Sequence, residues 1–157
     1  MSAPAITTPQ FLPLTVAATP ERPSVTIRTM HDERNGVYVN HSVAVEHPVV
    51  AVTPTLLSKM RLGALRRDAL RTALGEQNTE LAKRPPIKSY FKGSAGRAVA
   101  EKARREPTAE HIETAVLIYR LARLVGDFPV HAIARCFGLE HADAKRWVAL
   151  AKKNGAL

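Results

Sequence analysis

The first apolar pattern along the chain has a period of two. Val25 and Ile27 alternate with Thr26 and Arg28, and the run Val37-Tyr38-Val39-Asn40-His41-Ser42-Val43-Ala44-Val45 places Val37, Val39, Val43 and Val45 on one side of an extended chain. His31-Asp32-Glu33-Arg34-Asn35-Gly36 between them has turn chemistry, so a hairpin is expected, followed by a third short strand from Val49 to Val52. Three strands need a cover on their apolar face. Thr53-Pro54 offers an N-cap and a first-turn proline, which predicts a helix whose Leu56, Leu57 and Met60 supply that cover. A second helical piece from about Gly63 to Leu74 presents Leu65, Ala69, Leu70 and Ala73, and Gly75 is placed to end it. His41 shares its strand face with Val39 and Val43, which fits a half-buried or edge-strand histidine.

After Pro107 the period lengthens to three and four. Thr108 can cap a helix carrying Ile112, Ala115, Val116, Tyr119 and Ala122, with Leu121, Leu124 and Val125 widening the stripe and Gly126 stopping it. Asp127-Phe128-Pro129 leads into a second helix, about Val130 to Phe137, broken by Gly138. The last helix runs from Glu140 or His141 to Asn154, with Gly155 closing it. Counted from Val130, alanine falls at the fifth place (Ala134) and glycine at the ninth (Gly138), while the fourth, eighth, tenth, fifteenth and eighteenth are Ile133, Phe137, Leu139, Ala144 and Trp147. A small residue at the fifth place lets two helices approach, glycine accepts the sharp turn, and the five apolar residues pack the pair against a third helix. This is the spacing of a helix-turn-helix, with helix 108–125 as the third member.

The stretch Pro129 to Leu157, with Ala144-Lys145-Arg146-Trp147 and Lys152-Lys153-Asn154-Gly155-Ala156-Leu157, resembles the helix-turn-helix ends of small actinobacterial and phage-type DNA-binding proteins. Ile118-Tyr119-Arg120 and the β-rich N-terminal half resemble the same two-part group, loosely over most of the chain and well over about 50 residues. The resemblance implies DNA binding without implying a target sequence.

Composition adds three constraints. Only 5% of the 157 residues are aromatic and eleven are proline, which argues against one large core and for two small modules. No apolar run is long enough to span a membrane. No Lys or Arg precedes Arg22, and Pro4, Pro9, Pro13 and Pro20 interrupt the N-terminal apolar stretch, so a secretory signal is not expected and a cytoplasmic, nucleoid-associated location is. The single cysteine, Cys136, fits a reducing compartment. The net charge of +9 points to a polyanionic partner, and its largest share falls in residues 75–107. There Lys83, Arg84, Lys88, Lys92, Arg97, Lys102, Arg104 and Arg105 face a single acid between 83 and 105, Glu101. Pro85-Pro86 and Gly93-Ser94-Ala95-Gly96 prevent one continuous helix, so a flexible cationic linker is expected.

The expected fold is therefore α+β. It has a disordered Pro-rich arm (1–23), a β/α module for assembly or partner binding (24–75), a basic linker (76–107) and a three-helix DNA-binding domain (108–157). In a helix-turn-helix the second helix enters the major groove. Its outward residues Glu140, His141, Ala142, Lys145 and Arg146 are the candidate base contacts, with the Arg146 fork matched to guanine O6 and N7. His131, Arg135, Lys152, Lys153, Arg104 and Arg105 are the candidate phosphate contacts. Glu140 stands where Ser or Thr usually caps the helix; it could accept from cytosine N4 or repel phosphate, and Asp143 adds to that negative charge.

His131, Cys136 and His141 invite a zinc reading, but they lack a nearby fourth ligand and lie on two helices, so no metal is expected. The Gly93–Gly96 stretch follows no strand and lacks the Gly-Lys-Ser/Thr ending of a nucleotide loop. No cofactor or catalytic set is expected. The reading is a transcriptional regulator binding double-stranded DNA, with a homodimer or another protein engaged through the N-terminal module. The alternatives are a DNA-recruiting assembly or packaging component of a phage or mobile element, and a protein-binding adaptor.

Overall fold

A computed structural model describes residues 5–20, 22–49 and 51–157. The class is α+β, a three-strand antiparallel sheet followed by helices. The strands are β1 (Phe11–Val16), β2 (Ser24–Asp32) and β3 (Val37–Glu46), in the order β1-β2-β3. The hairpin β2–β3 stands where the alternation placed it. The third strand does not: Val49, Ala51 and Val52 are not in a strand, Val50 lies outside the described residues, and β1 fills the third place from within the arm expected to be disordered.

Polar contacts explain why that arm is ordered. The Thr7 N–H donates to Asn78 Oδ1 (2.7 Å), Asn78 Nδ2 donates back to the Thr7 carbonyl (3.0 Å), and the Tyr38 hydroxyl donates to the Pro9 carbonyl (2.6 Å). Leu12 and Leu14 alternate inward beside Val25 and Ile27. Pro13 sits in an edge strand, where a missing amide costs no ladder bond. Met1–Pro4 and Glu21 lie outside the described residues.

The expected single valine face of β3 is divided. Arg28 pairs with Ser42 and Thr29 with Asn40, so His41 is an extra, unpaired residue, and the alternation reverses there. Val43 and Val45 stand opposite Ile27 and Val25, whereas Tyr38, not Val37 or Val39, fills the covered face nearer the turn.

Helix α1 (Pro54–Lys59) begins as predicted, with the Thr53 hydroxyl accepting from the Leu56 N–H. It buries no residue, however, and the cover expected from Leu56, Leu57 and Met60 comes instead from α2 (Leu62–Gln77), which packs on β1 through Leu70 and Leu74. Gly75 does not end α2; it lies inside the helix against the Phe91 ring.

The expected flexible linker is folded. A 3-10 turn at Leu81–Lys83 precedes α3 (Pro85–Phe91), which starts at the proline pair and buries Ile87, Tyr90 and Phe91, and α4 (Glu101–Arg105) follows. Helix α3 packs against α2 and against the C-terminal helices α5 (Ala109–Val125) and α6 (Pro129–Phe137), so one apolar core runs from Leu12 to Ala151. The two-module division is corrected accordingly. Polar bridges reinforce the junction: Arg71 of α2 pairs with Asp127 in the α5–α6 turn at 2.6 Å, and Arg66 donates to the carbonyls of Val125 (3.1 Å) and Tyr38. Too few aromatics for one core is thus compensated by aliphatic and alanine packing.

Candidate nucleic-acid interface

The site begins with α5. Thr108 caps it in a reciprocal box: its hydroxyl accepts from the His111 N–H and its own N–H donates to His111 Nδ1, both at 3.3 Å. Helix α6 follows after Gly126, and α7 (His141–Lys153) follows after Gly138. Gly138 has φ +59°, the left-handed region that glycine occupies without a side-chain clash.

Each apolar position of the helix-turn-helix spacing is buried: Ile133, Phe137, Leu139, Ala144 and Trp147, with Ala134 at the close approach half-buried. Phe137 and Trp147 meet edge to face at 5.0 Å, and His111 lies 5.6 Å from Trp147, tying α5 to the pair. The packing turns one stripe of α7 inward (Ala144, Trp147, Val148, Ala151) and the opposite stripe to solvent. On that outer stripe stand His141, Ala142, Lys145, Arg146, Lys152 and Lys153, beside the exposed Glu140 N-cap, whose side chain makes no capping bond.

Two groups depart from their expected setting. Arg146 is not a free fork, because its Nη2 is paired with Asp143 one turn earlier. Arg135, expected to face phosphate, has Nε and Nη2 buried without hydrogen-bond partners, and its carbonyl accepts from the Gly96 N–H at 3.0 Å. It belongs to the interior edge of α6.

His131 does face solvent, and its ring stacks on His141 with centroids 4.5 Å apart; Phe128, 71% exposed, packs edge-on at 6.1 Å from His131. Desolvation, then the neighbouring His131 and Lys145, hold the His141 imidazole below its ordinary value. Cys136 is fully buried and its thiol is pushed up to about 11 by that burial. Among the described residues no group of three or more His, Cys, Asp or Glu is placed to hold a metal ion.

Sequence reasoning missed how residues 94–105 relate to this pair. The Gly96 N–H donates to the Arg135 carbonyl and the Val99 N–H to the Phe137 carbonyl, both at 3.0 Å, satisfying carbonyls at the C-terminal end of α6. A Cβ on Gly96 would stand 1.8 Å from the Cys136 carbonyl oxygen, and one on Gly138 would stand 2.6 Å from Ala98 Cα. The glycines at 96 and 138 were visible as turn signals, but only the packed backbone shows that each clears space for the other segment. Trp147 Nε1 then donates to the Arg104 carbonyl at 3.2 Å, anchoring α4 beside α7. Arg104 is half-buried, with its Nε buried and without a hydrogen-bond partner, while Arg105 is exposed and paired with Glu101 at 2.7 Å.

Comparison with protein-family models, curated proteins and solved structures finds no match to this chain. Among the described residues, no helix is long and apolar enough to cross a membrane.

Proposed function

We propose that the chain binds double-stranded DNA through α6 and α7 and serves as a bacterial or phage-type transcriptional regulator. The observation that carries this reading is the burial of the whole apolar set from Ile133 to Trp147, which leaves a basic stripe of α7 as the outer surface of a three-helix unit. Lys145, Arg146 and His141 take the base-facing positions at the start of α7. Lys152, Lys153 and His131 take the phosphates on either side. Asp143 engages one nitrogen of Arg146; the guanidinium carries five donors, so a fork toward guanine O6 and N7 survives the ion pair with its direction set. Useful specificity commonly needs two recognition helices, so a two-fold pair of chains, joined through the sheet module, belongs to this reading.

Duplex affinity measured across salt concentrations tests it. Counterion release predicts a log-log slope of roughly −0.9 for each phosphate neutralised. Replacing Lys152 and Lys153 together with alanine is expected to flatten the slope by about two such increments. An affinity for duplex DNA that ignores salt contradicts the proposal.

A further inference from the structure

Residues 94–105 carry Arg97, Lys102, Arg104 and Arg105 against one acid, Glu101. A mobile tether with that charge would touch phosphates at no set position. This segment is instead fixed to the helix pair at three points: Gly96 on the Arg135 carbonyl, Val99 on the Phe137 carbonyl, and the Arg104 carbonyl on Trp147. Close contact of Gly96 with Cys136 and of Ala98 with Gly138 leaves the backbone no room to slide.

The fixed segment opens onto the same surface as α7. A cleft of about 410 Å³ between α4 and the first turns of α7 is lined by Glu101, Arg104, Arg105, Asp143 and Arg146, so Arg104 and Arg105 of α4 border Arg146 of the proposed base-facing set, with Glu101 and Asp143 beside them. Lys102 and Arg105 are exposed one turn apart on α4, and Arg97 is exposed beside the α6–α7 turn.

Resting on the DNA reading of α7, we propose that residues 94–105 form a rigid strap that grips the duplex backbone beside the groove entered by α7. Arg97, Lys102 and Arg105 hold phosphates at a set distance from the base-facing residues. Cations carried on a backbone already held in place lose little loop freedom on binding, so each contact contributes more than one made by a flexible tail. The strap flanks one side of α7 only, so the footprint of each recognition helix extends asymmetrically.

The test uses the full chain and the duplex it enriches from a random pool. Hydroxyl-radical footprinting and salt titration are run on the wild type and on the Arg97→Ala/Lys102→Ala/Arg105→Ala variant, whose three side chains are exposed and whose circular dichroism should match the wild type. The strap predicts that the variant loses the protected backbone positions on one flank. Its salt slope should fall by roughly 0.9 for each phosphate released, while the enriched sequence stays the same. An unchanged footprint and slope overturn the strap and leave the α7 reading intact. If the wild type shows no salt-dependent duplex binding, or prefers single-stranded RNA, the α7 reading and the strap both fail.

Discussion

At the scale of single residues, the decisive positions are those where one segment's backbone meets another's. Gly96 sits where any Cβ would collide with the Cys136 carbonyl oxygen, a fixed backbone atom that cannot turn aside. Gly96→Ala is therefore expected to cost about 2 kcal/mol or more, read as a lower urea midpoint at unchanged slope. A midpoint within error of wild type would show that the strap does not lie against α6. His141 offers a second check. Its imidazole is held below the ordinary 6.5 by desolvation, His131 and Lys145, so the unfolded chain takes up this proton first as pH falls. The contribution to stability is present above the ordinary value and is lost as pH drops through 6.5 toward the lower folded-state value. An NMR titration should place the His141 ring below 6.5 and move it upward in His131→Gln; no movement would mean that the 4.5 Å stack is absent in solution.

At the scale of elements, α5, α6 and α7 were readable almost residue by residue, because a 3.6 period and the glycines at 126, 138 and 155 agreed there, with the Thr108 cap starting α5. The β2–β3 hairpin was readable for the same kind of reason. What misled was long-range. Nothing local to Phe11–Val16 signals that Asn78 and Tyr38 will pin the arm, and the bulge at His41 depends on pairing across strands. Pro85-Pro86 reads as a break in structure, yet proline is favoured in a helix's first turn, and the apolar residues Ile87, Tyr90 and Phe91 behind it are the available sign of α3. The candidate site followed the same division: the outer face of α7 was readable, while the Asp143–Arg146 pair and the inward turn of Arg135 were not. The anchoring of α4 on α7 has its own test. Trp147→Phe removes the donor to the Arg104 carbonyl together with part of the buried indole, so more than the ~1 kcal/mol of one hydrogen bond should be lost. Amide exchange should also rise selectively over 100–105. Uniform protection in the variant would argue that α4 is held by other contacts.

At the scale of the whole molecule, the α5–α7 unit is built into the sheet and its covering helices. The Arg71–Asp127 pair, the Arg66 bonds to Val125 and Tyr38, and the packing of α3 on α6 all cross between the halves. Unfolding by urea should accordingly be one cooperative transition, with Trp147 fluorescence and far-ultraviolet circular dichroism coincident. Two separated transitions would restore independent modules. The charge of +9 takes its place in the same picture: a net +3 of it, four cations against Glu101, lies on the segment fixed beside α7. In the proposed reading, α7 selects sequence through the stripe His141, Lys145 and Arg146. Selection from random duplexes with the full chain, repeated with Arg146→Ala, tests it most directly. One enriched motif is expected for the wild type and, for the variant, relaxed preference at a single position worth about 1–3 kcal/mol. No enriched motif, or the same motif undiminished in the variant, would contradict it.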